Sequence, residues 1–195
     1  MKKLHLGCGP VYLKGYVNID MKGELAQNHP ELVIENETTV ENYFKKPFKK
    51  QLLGFDKKKQ IVVDMLSDMR HLPFDDNSAD EIFLVNVIDH IRFQEIPDTI
   101  EDWYRVLKKG GQLIIDVNEI MGSIKLLQEA KTREEYEWAN RLIFCHARDE
   151  HDSHHWGYTP EYLKTLLLEH GFYHVWTKTD FIKHSYPSFQ ICVKK

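Results

Sequence analysis

Short apolar runs and longer amphipathic runs alternate along the chain. The short ones, "LHLG", "YVNID", "QIVVDM", "DEIFLVN", "GQLIIDVN", "YHVWTKTDF" and "SFQICVKK", are rich in β-branched residues and bounded by glycine, proline or acidic residues. Most are apolar on both faces, which predicts buried strands of a largely parallel sheet. The amphipathic runs predict helices. In "IPDTIEDWYRVLKK", Ile96, Ile100, Trp103, Tyr104 and Leu107 recur at helical spacing, Pro97 stands near the start, and Gly110-Gly111 ends the run. "TREEYEWANRLIFCHA" is a second helix and "TPEYLKTLLLEHGF" a third, which opens on Thr159 as N-cap with Pro160 at N1 and closes on Gly171. Strand and helix in alternation predict an α/β sheet. Residues 22–60 break the rhythm. They are polar and irregular, with "TTVENYF" the single helix-like piece, and a connection of that length in a compact domain predicts a lid or functional loop.

Composition narrows the class. At 195 residues the chain fits one domain, residues 1–195, able to bury roughly 70% of its unfolded surface. A formal net charge of −4 argues against a dedicated nucleic-acid or membrane surface, because either needs clustered Lys and Arg. "KKPFKK" and "DKKK" are the nearest approach and read as solvated loop charges. Cys8, Cys145 and Cys192 are odd in number and far apart, without the paired spacing of a zinc or redox motif, and reduced thiols are expected. The two amino-terminal lysines precede no apolar run of signal-peptide length, and no segment approaches the ~20 apolar residues of a membrane helix. These features predict a cytoplasmic chain.

The first candidate chemistry lies at the amino terminus. In "KLHLGCGPVYLKGYVNID" a glycine turn follows the first strand and an acidic residue, Asp20, ends the second. In an open parallel sheet, ligands sit outside the carboxyl ends of the strands where strand order reverses. Gly7 and Gly9 let the backbone approach a ligand in conformations that a side chain forbids. Asp20 could accept both hydroxyls of a ribose. The pair points to a nucleoside-bearing cofactor. The turn lacks the third glycine of the G-x-G-x-x-G fingerprint, and the helix expected between the first two strands is almost absent. A pyrophosphate beside Asp20 and Asp68 finds no positive partner in the turn, which weighs against NAD. A plain structural turn is the bland reading.

A second signature is more specific. "DMRHLPFDDNSADEIFLVNVIDH" carries Asp68, then Leu72-Pro73-Phe74, acidic residues, Ser78, Asp80, a strand and Ile88-Asp89-His90, and "YRVLKKGGQLIIDV" follows. Together with Gly7-Cys8-Gly9 and Asp20, this pattern resembles the class I S-adenosylmethionine-dependent methyltransferases, specifically the small type 11 branch. Asp89 stands where glutamate is usual and Lys109 where proline is usual. The resemblance runs from about Lys3 to Phe172, ending in "HHWGYTPEYLKTLLLEHGF". It implies a single Rossmann-like domain with a seven-stranded, mostly parallel sheet, the last strand antiparallel, helices on both faces, and S-adenosylmethionine as cofactor. Gly7, Cys8 and Gly9 would lie under its methionine portion through backbone atoms, and Asp20 would hold the ribose. Asp68 would accept from the adenine amine while Met69 donates its backbone N–H to the ring. Asn86 would face the amino-acid end or the transferring methyl. Asp64, ending "IVVD", is the alternative adenine partner, and Asp80 and "LPF" have plain readings as a turn residue and core packing.

Methyl transfer is an in-line displacement that needs alignment, exclusion of water and, for an oxygen or nitrogen acceptor, a base. His90, after the fourth strand, and His155 are the candidate catalytic residues, since histidine titrates in the useful range. His90 reads equally as a packed residue at a helix start. "CHARDEHDSHHW" holds further histidines among acids, yet its spacing fits no familiar zinc pattern, so no metal site is expected. His155, Trp156 and Tyr158 are expected to line the pocket of a small-molecule acceptor, with O- or N-methylation favoured by the available histidines. Two rival functions remain: an S-adenosylmethionine-binding module without catalysis, and a metal-dependent hydrolase built on the histidine cluster.

Overall fold

The computed structural model describes residues 1–43, 60–146, 152–177 and 184–195. Seven strands form one sheet: β1 (Lys3–Leu6), β2 (Val17–Asp20), β3 (Met65–Leu66), β4 (Ala79–Val85), β5 (Leu107–Asn118), β6 (Tyr173–Thr177) and β7 (Ser188–Lys194). They lie in the order β3-β2-β1-β4-β5-β7-β6. The strands β3, β2, β1, β4 and β5 run parallel, and β7 is antiparallel to both β5 and β6. The expected architecture, Rossmann-like with an antiparallel last strand, is the observed one.

Alternation along the central strands sends side chains to two cores. Leu4, Leu6, Ile82, Leu84, Leu113, Ile115 and Val117 meet helix α2 (Ile96–Val106) through Ile96, Ile100 and Trp103, and helix α5 (Pro160–Glu169) through Leu163 and Leu167. Phe83, Val85 and Ile114 point the other way, against Leu13 and Tyr43. Each fully buried Leu, Ile or Phe contributes roughly 1.5–3 kcal/mol, so the sheet is held chiefly by these two layers. The second layer has a polar heart. His5 is fully buried, with Nδ1 3.0 Å from Asn18 Oδ1 and Nε2 3.0 Å from the Tyr43 hydroxyl. Burial lowers its pKa to about 4, so the ring is neutral.

Most predicted elements appear where the patterns place them. Thr159 caps α5 with Pro160 in its first turn, and Thr132 forms a capping box with Glu135 at the start of helix α4 (Arg133–Phe144). The helix expected to reach Gly110-Gly111 ends sooner, at Val106. Leu107 is already extended and pairs with Ala79 of β4. Helix α3 (Ile120–Glu129), packed on α4, was not anticipated. Within the region expected to be irregular, Glu24–Leu25 pairs with Val62–Val63, Glu37–Thr38 pairs with Tyr12–Leu13, and Pro30–Asn36 forms a short helix, α1. Residues 44–59, which carry both basic runs, lie outside the described residues. Among the described residues, no helix is long and apolar enough to cross a membrane.

Candidate functional site

Strand order reverses between β1 and β4, so the turns leaving their carboxyl ends border one crevice. The first is the glycine turn. Gly7 has φ +58°, and a Cβ there would lie 2.7 Å from Val87 Cγ2. The turn after β4 therefore packs directly on this backbone. Gly9 has φ +51° and nothing within 4 Å of an added Cβ, so its face of the turn is open. The Gly9 N–H donates to Asp20 Oδ2 at 2.9 Å, and Lys22 N–H approaches Oδ1 at 3.3 Å. Asp20 is thereby fixed against the glycine turn at the end of β2. Cys8 is buried, its N–H donates to Ile19 O at 3.0 Å, and burial, with Asp20 and Asp64 nearby, pushes its thiol far above the ordinary range. It is a packing residue, not a nucleophile.

The two candidate adenine acids are both engaged. Asp64 accepts from the Tyr12 hydroxyl at 2.6 Å and from the Asn18 N–H at 2.7 Å, which ties it to the base of β2. Asp68 accepts from Arg70 through Nε at 3.0 Å, Nη2 at 2.7 Å and the backbone N–H at 2.9 Å. The hydrogen bonds from Arg70 hold the Asp68 carboxyl below the usual carboxylate range. Arg70 also bonds Glu95 at 2.7 Å, and these residues line a polar cleft of about 220 Å³ with Gln94 and Thr99. Met69 is fixed beside it, since its carbonyl accepts from Trp103 Nε1 at 2.8 Å.

Asn86 follows β4 with φ +52°, an unusual conformation for a residue with a side chain. Its Nδ2 donates to the Tyr186 hydroxyl at 2.5 Å, while its buried Oδ1 has no hydrogen-bond partner among the described residues. Beneath it lies a set that sequence reasoning missed. Asp116, 2% exposed on β5, bonds His184 at 2.5 Å and Gln190 at 3.3 Å, and its backbone carbonyl accepts the Asn86 N–H at 2.8 Å. Burial pushes the Asp116 carboxyl up against the opposing pull of His184. The available signal was a carboxylate inside the apolar run "LIIDV".

The turn after β4 also gathers the histidine-rich segment. The Asp89 carbonyl accepts from the N–H groups of His155 at 2.7 Å and Trp156 at 3.3 Å. His154 packs edge-on against His90, with ring centroids 4.8 Å apart. His155 is exposed, and Trp156 lies over Phe93 at 4.5 Å, both aromatic rings partly open to solvent. Tyr158, expected to line an acceptor pocket, is fully buried with its hydroxyl 3.5 Å from Ile88 O. Its ring supports the β4 turn from within the core.

The comparisons agree with this architecture. A family model described as a methyltransferase domain matches residues 4–115. Among solved structures, an S-adenosylmethionine-dependent methyltransferase from Thermotoga maritima superposes with a TM-score of 0.53 at 15% identity, covering 100% of this chain and 81% of its own. One from Archaeoglobus fulgidus gives 0.50 at 15% identity, covering 100% and 86%. Human N-acetylserotonin methyltransferase, in complex with S-adenosylmethionine, gives 0.54 at 15% identity over 99% of this chain and 47% of its own. No curated protein sequence matches. With more than half its length matched and the sheet order in place, the chain belongs to the class I S-adenosylmethionine-dependent methyltransferases, in the type 11 branch.

Proposed function

We propose that the protein methylates an oxygen or nitrogen of a small-molecule acceptor in the cytoplasm, acting as one domain interrupted by an irregular insertion at about residues 22–60. When bound, S-adenosylmethionine supplies an electrophilic methyl group on its sulfonium. The observation that carries the reading is the pairing of two acceptors across the crevice: Asp20, fixed by Gly9, and Asn86 Oδ1, which has no partner among the described residues. A carboxylate offers only acceptors, which suits ribose hydroxyls, and a buried amide oxygen needs a donor such as an ammonium group. The open face of Gly9 leaves room for the amino-acid portion along Gly7, Cys8 and Gly9. Asp68 and Met69 serve the adenine. Arg70 takes most of the roughly four lone-pair sites of the Asp68 carboxylate, leaving it to share the rest.

On the acceptor side, His155 is the favoured base. It is exposed, its backbone is anchored to Asp89, and the neighbouring Trp156 and Phe93 offer an aromatic surface to an acceptor. His90 is the second histidine within this region. Cys8, Cys145 and Cys192 form no disulfide among the described residues, as a reducing compartment would leave them.

Calorimetric titration with S-adenosylhomocysteine tests the reading. Saturable binding is expected, and at ~100 times the dissociation constant it should stabilise the fold by roughly 2.7 kcal/mol. Asp20→Ala should weaken it about 10- to 100-fold, the worth of charge-assisted hydrogen bonds. No binding at millimolar ligand would overturn the proposal. With an acceptor found by transfer of a labelled methyl group, His155→Ala should keep cofactor affinity and lower turnover about 100-fold or more. Binding without transfer to any acceptor would support the non-catalytic module.

A further inference from the structure

We propose that His90, Cys145 and His154 bind one divalent transition-metal ion of the zinc class, with Asp89 as the candidate fourth ligand. This inference does not depend on the methyl-transfer reading. One ligand atom from each of the first three residues lies within 4.8 Å of the others, although they come from the β4 turn, the end of α4 and the segment beyond it. Cys145 leaves α4 at φ +60° and forms an antiparallel bridge with Ser153, and this reversal brings His154 back to the thiol.

The hydrogen bonding of His154 favours a cation. Its Nδ1 lies 3.2 Å from both Leu142 O and Ile143 O, and carbonyls only accept, so Nδ1 carries the proton. In the neutral ring Nε2 is then bare. It faces Asp89 Oδ2 at 3.3 Å, a lone pair against an acceptor-only group. Asp89 is 3% exposed, and neither of its oxygens has a hydrogen-bond donor among the described residues. The buried His90 Nδ1 also has no partner among them. Two bare imidazole nitrogens around a buried carboxylate are met at once by a positive ion, and the Cys145 thiol, which donates to Asp152 Oδ1 at 3.5 Å, would give up its proton to join them.

The chemistry selects the ion. Mixed imidazole, thiolate and carboxylate donors suit zinc rather than magnesium or calcium, which take oxygen ligands. With metal–nitrogen and metal–oxygen bonds of about 2.0–2.1 Å, the edge of a tetrahedron between them is about 3.3 Å. The His154–Asp89 separation has that length. A donated Nδ1–H to backbone carbonyl is also how metal-bound histidines are held in orientation. Four protein ligands make a closed site, so the ion would clasp the 154–156 segment to the β4 turn rather than react. In that state His90 is a ligand, and His155 alone of the two candidate bases stays available.

The test uses the full chain freed of metal by chelator and titrated with Co²⁺ as a spectroscopic probe. One ion per chain is expected, with a thiolate-to-cobalt charge-transfer band that Zn²⁺ abolishes by displacement. Cys145→Ser should lose the band, and Asp89→Asn should weaken affinity by at least about 10-fold, the smallest cost of losing even an outer-shell partner, with unchanged far-ultraviolet dichroism. Should Cys145→Ser not fold, the wild-type band still decides, because Cys8 and Cys192 are buried away in the β1 turn and β7. A wild-type titration without the band, or an unchanged band in Cys145→Ser, would overturn the site. Binding would then be adventitious on the chain's 11 histidines, and His154 with Asp89 an imidazolium–carboxylate pair.

Discussion

The glycine turn with Asp20 and the His90–Cys145–His154 cluster both depend on turns at the carboxyl edge of the sheet, yet they are assembled over very different chain distances. The first is made by residues 7–20, and its geometry follows from backbone: two left-handed glycines, one N–H to carboxylate bond and the contact with Val87. The second joins residues 89–90 to 145 and 154, and it exists only because α4 ends in a reversal. A site built on backbone is rigid before any ligand arrives, whereas a site built from side chains of three segments depends on how those segments dock. The shape of the cofactor side should therefore fail through the backbone that holds Asp20, and the acceptor side through the loss of single side chains.

Gly7→Val tests the first half of that statement and should have the largest effect. A left-handed residue with a β-carbon costs roughly 1–2 kcal/mol, and forcing the branch into Val87 adds about 1–3 kcal/mol. A loss on the order of 4 kcal/mol is expected in urea unfolding. Gly9→Ala, with the same hand of backbone but open space around its Cβ, should cost only about 1 kcal/mol while weakening S-adenosylhomocysteine binding. Equal losses of stability at the two positions would show that the Val87 contact is not what demands glycine.

The next effect is a pH dependence beneath the same turn. His5 has a pKa of about 4 in the folded protein against an ordinary 6.5, because burial disfavours the charged ring. Between those values the unfolded chain holds more protons, so stability is lost as pH falls from about 6.5 towards 4. The full loss is about 3 kcal/mol, from a shift of that size at 1.36 kcal/mol per unit. Asp116 acts in the opposite sense, since its raised carboxyl is relieved by protonation as pH falls. Comparison with His5→Gln, which keeps polar atoms but cannot titrate, removes the Asp116 contribution. The variant's urea midpoint should be flatter across that window; an identical slope would assign the acid sensitivity to other groups.

The same contrast explains what the sequence discloses. The strands of the main sheet and three of the helices were legible because apolar periodicity and a cap such as Thr159 act over a few residues. The Gly7–Asp20 unit was legible for the same reason. Helix α3 escaped because it carries Gly122 in its first turn and is capped by Glu119, an uncommon N-cap type. The engagement of Asp68 was hidden because it depends on the rotamer of Arg70, and the cluster at Cys145 because no spacing rule reports a contact between residue 90 and residue 154. Asp116 and His184 needed the pairing of β5 with β7, which a single sequence does not reveal.

Asp68 gives the smallest effect and the sharpest division between the two kinds of site, because it is a local residue with a side-chain partner. The Asp68–Arg70 pair is partly open, each side chain 30% exposed, so Asp68→Asn should change stability by less than about 1 kcal/mol. If the carboxylate also accepts the adenine amine, the substitution should weaken S-adenosylhomocysteine about fivefold, since replacing a charged acceptor by a neutral one costs on the order of 1 kcal/mol. A second ligand separates recognition from support. An analogue carrying hypoxanthine presents a carbonyl where adenine presents its amine, and a carboxylate opposes that oxygen. The wild type should discriminate against this analogue, and Asp68→Asn should discriminate less, because an amide can turn its nitrogen towards the carbonyl. Unchanged affinity and unchanged discrimination would leave Asp68 as the partner of Arg70 alone and pass adenine recognition to the Met69 backbone, so that Asp20 and Asn86 would be the side chains on which the cofactor site relies.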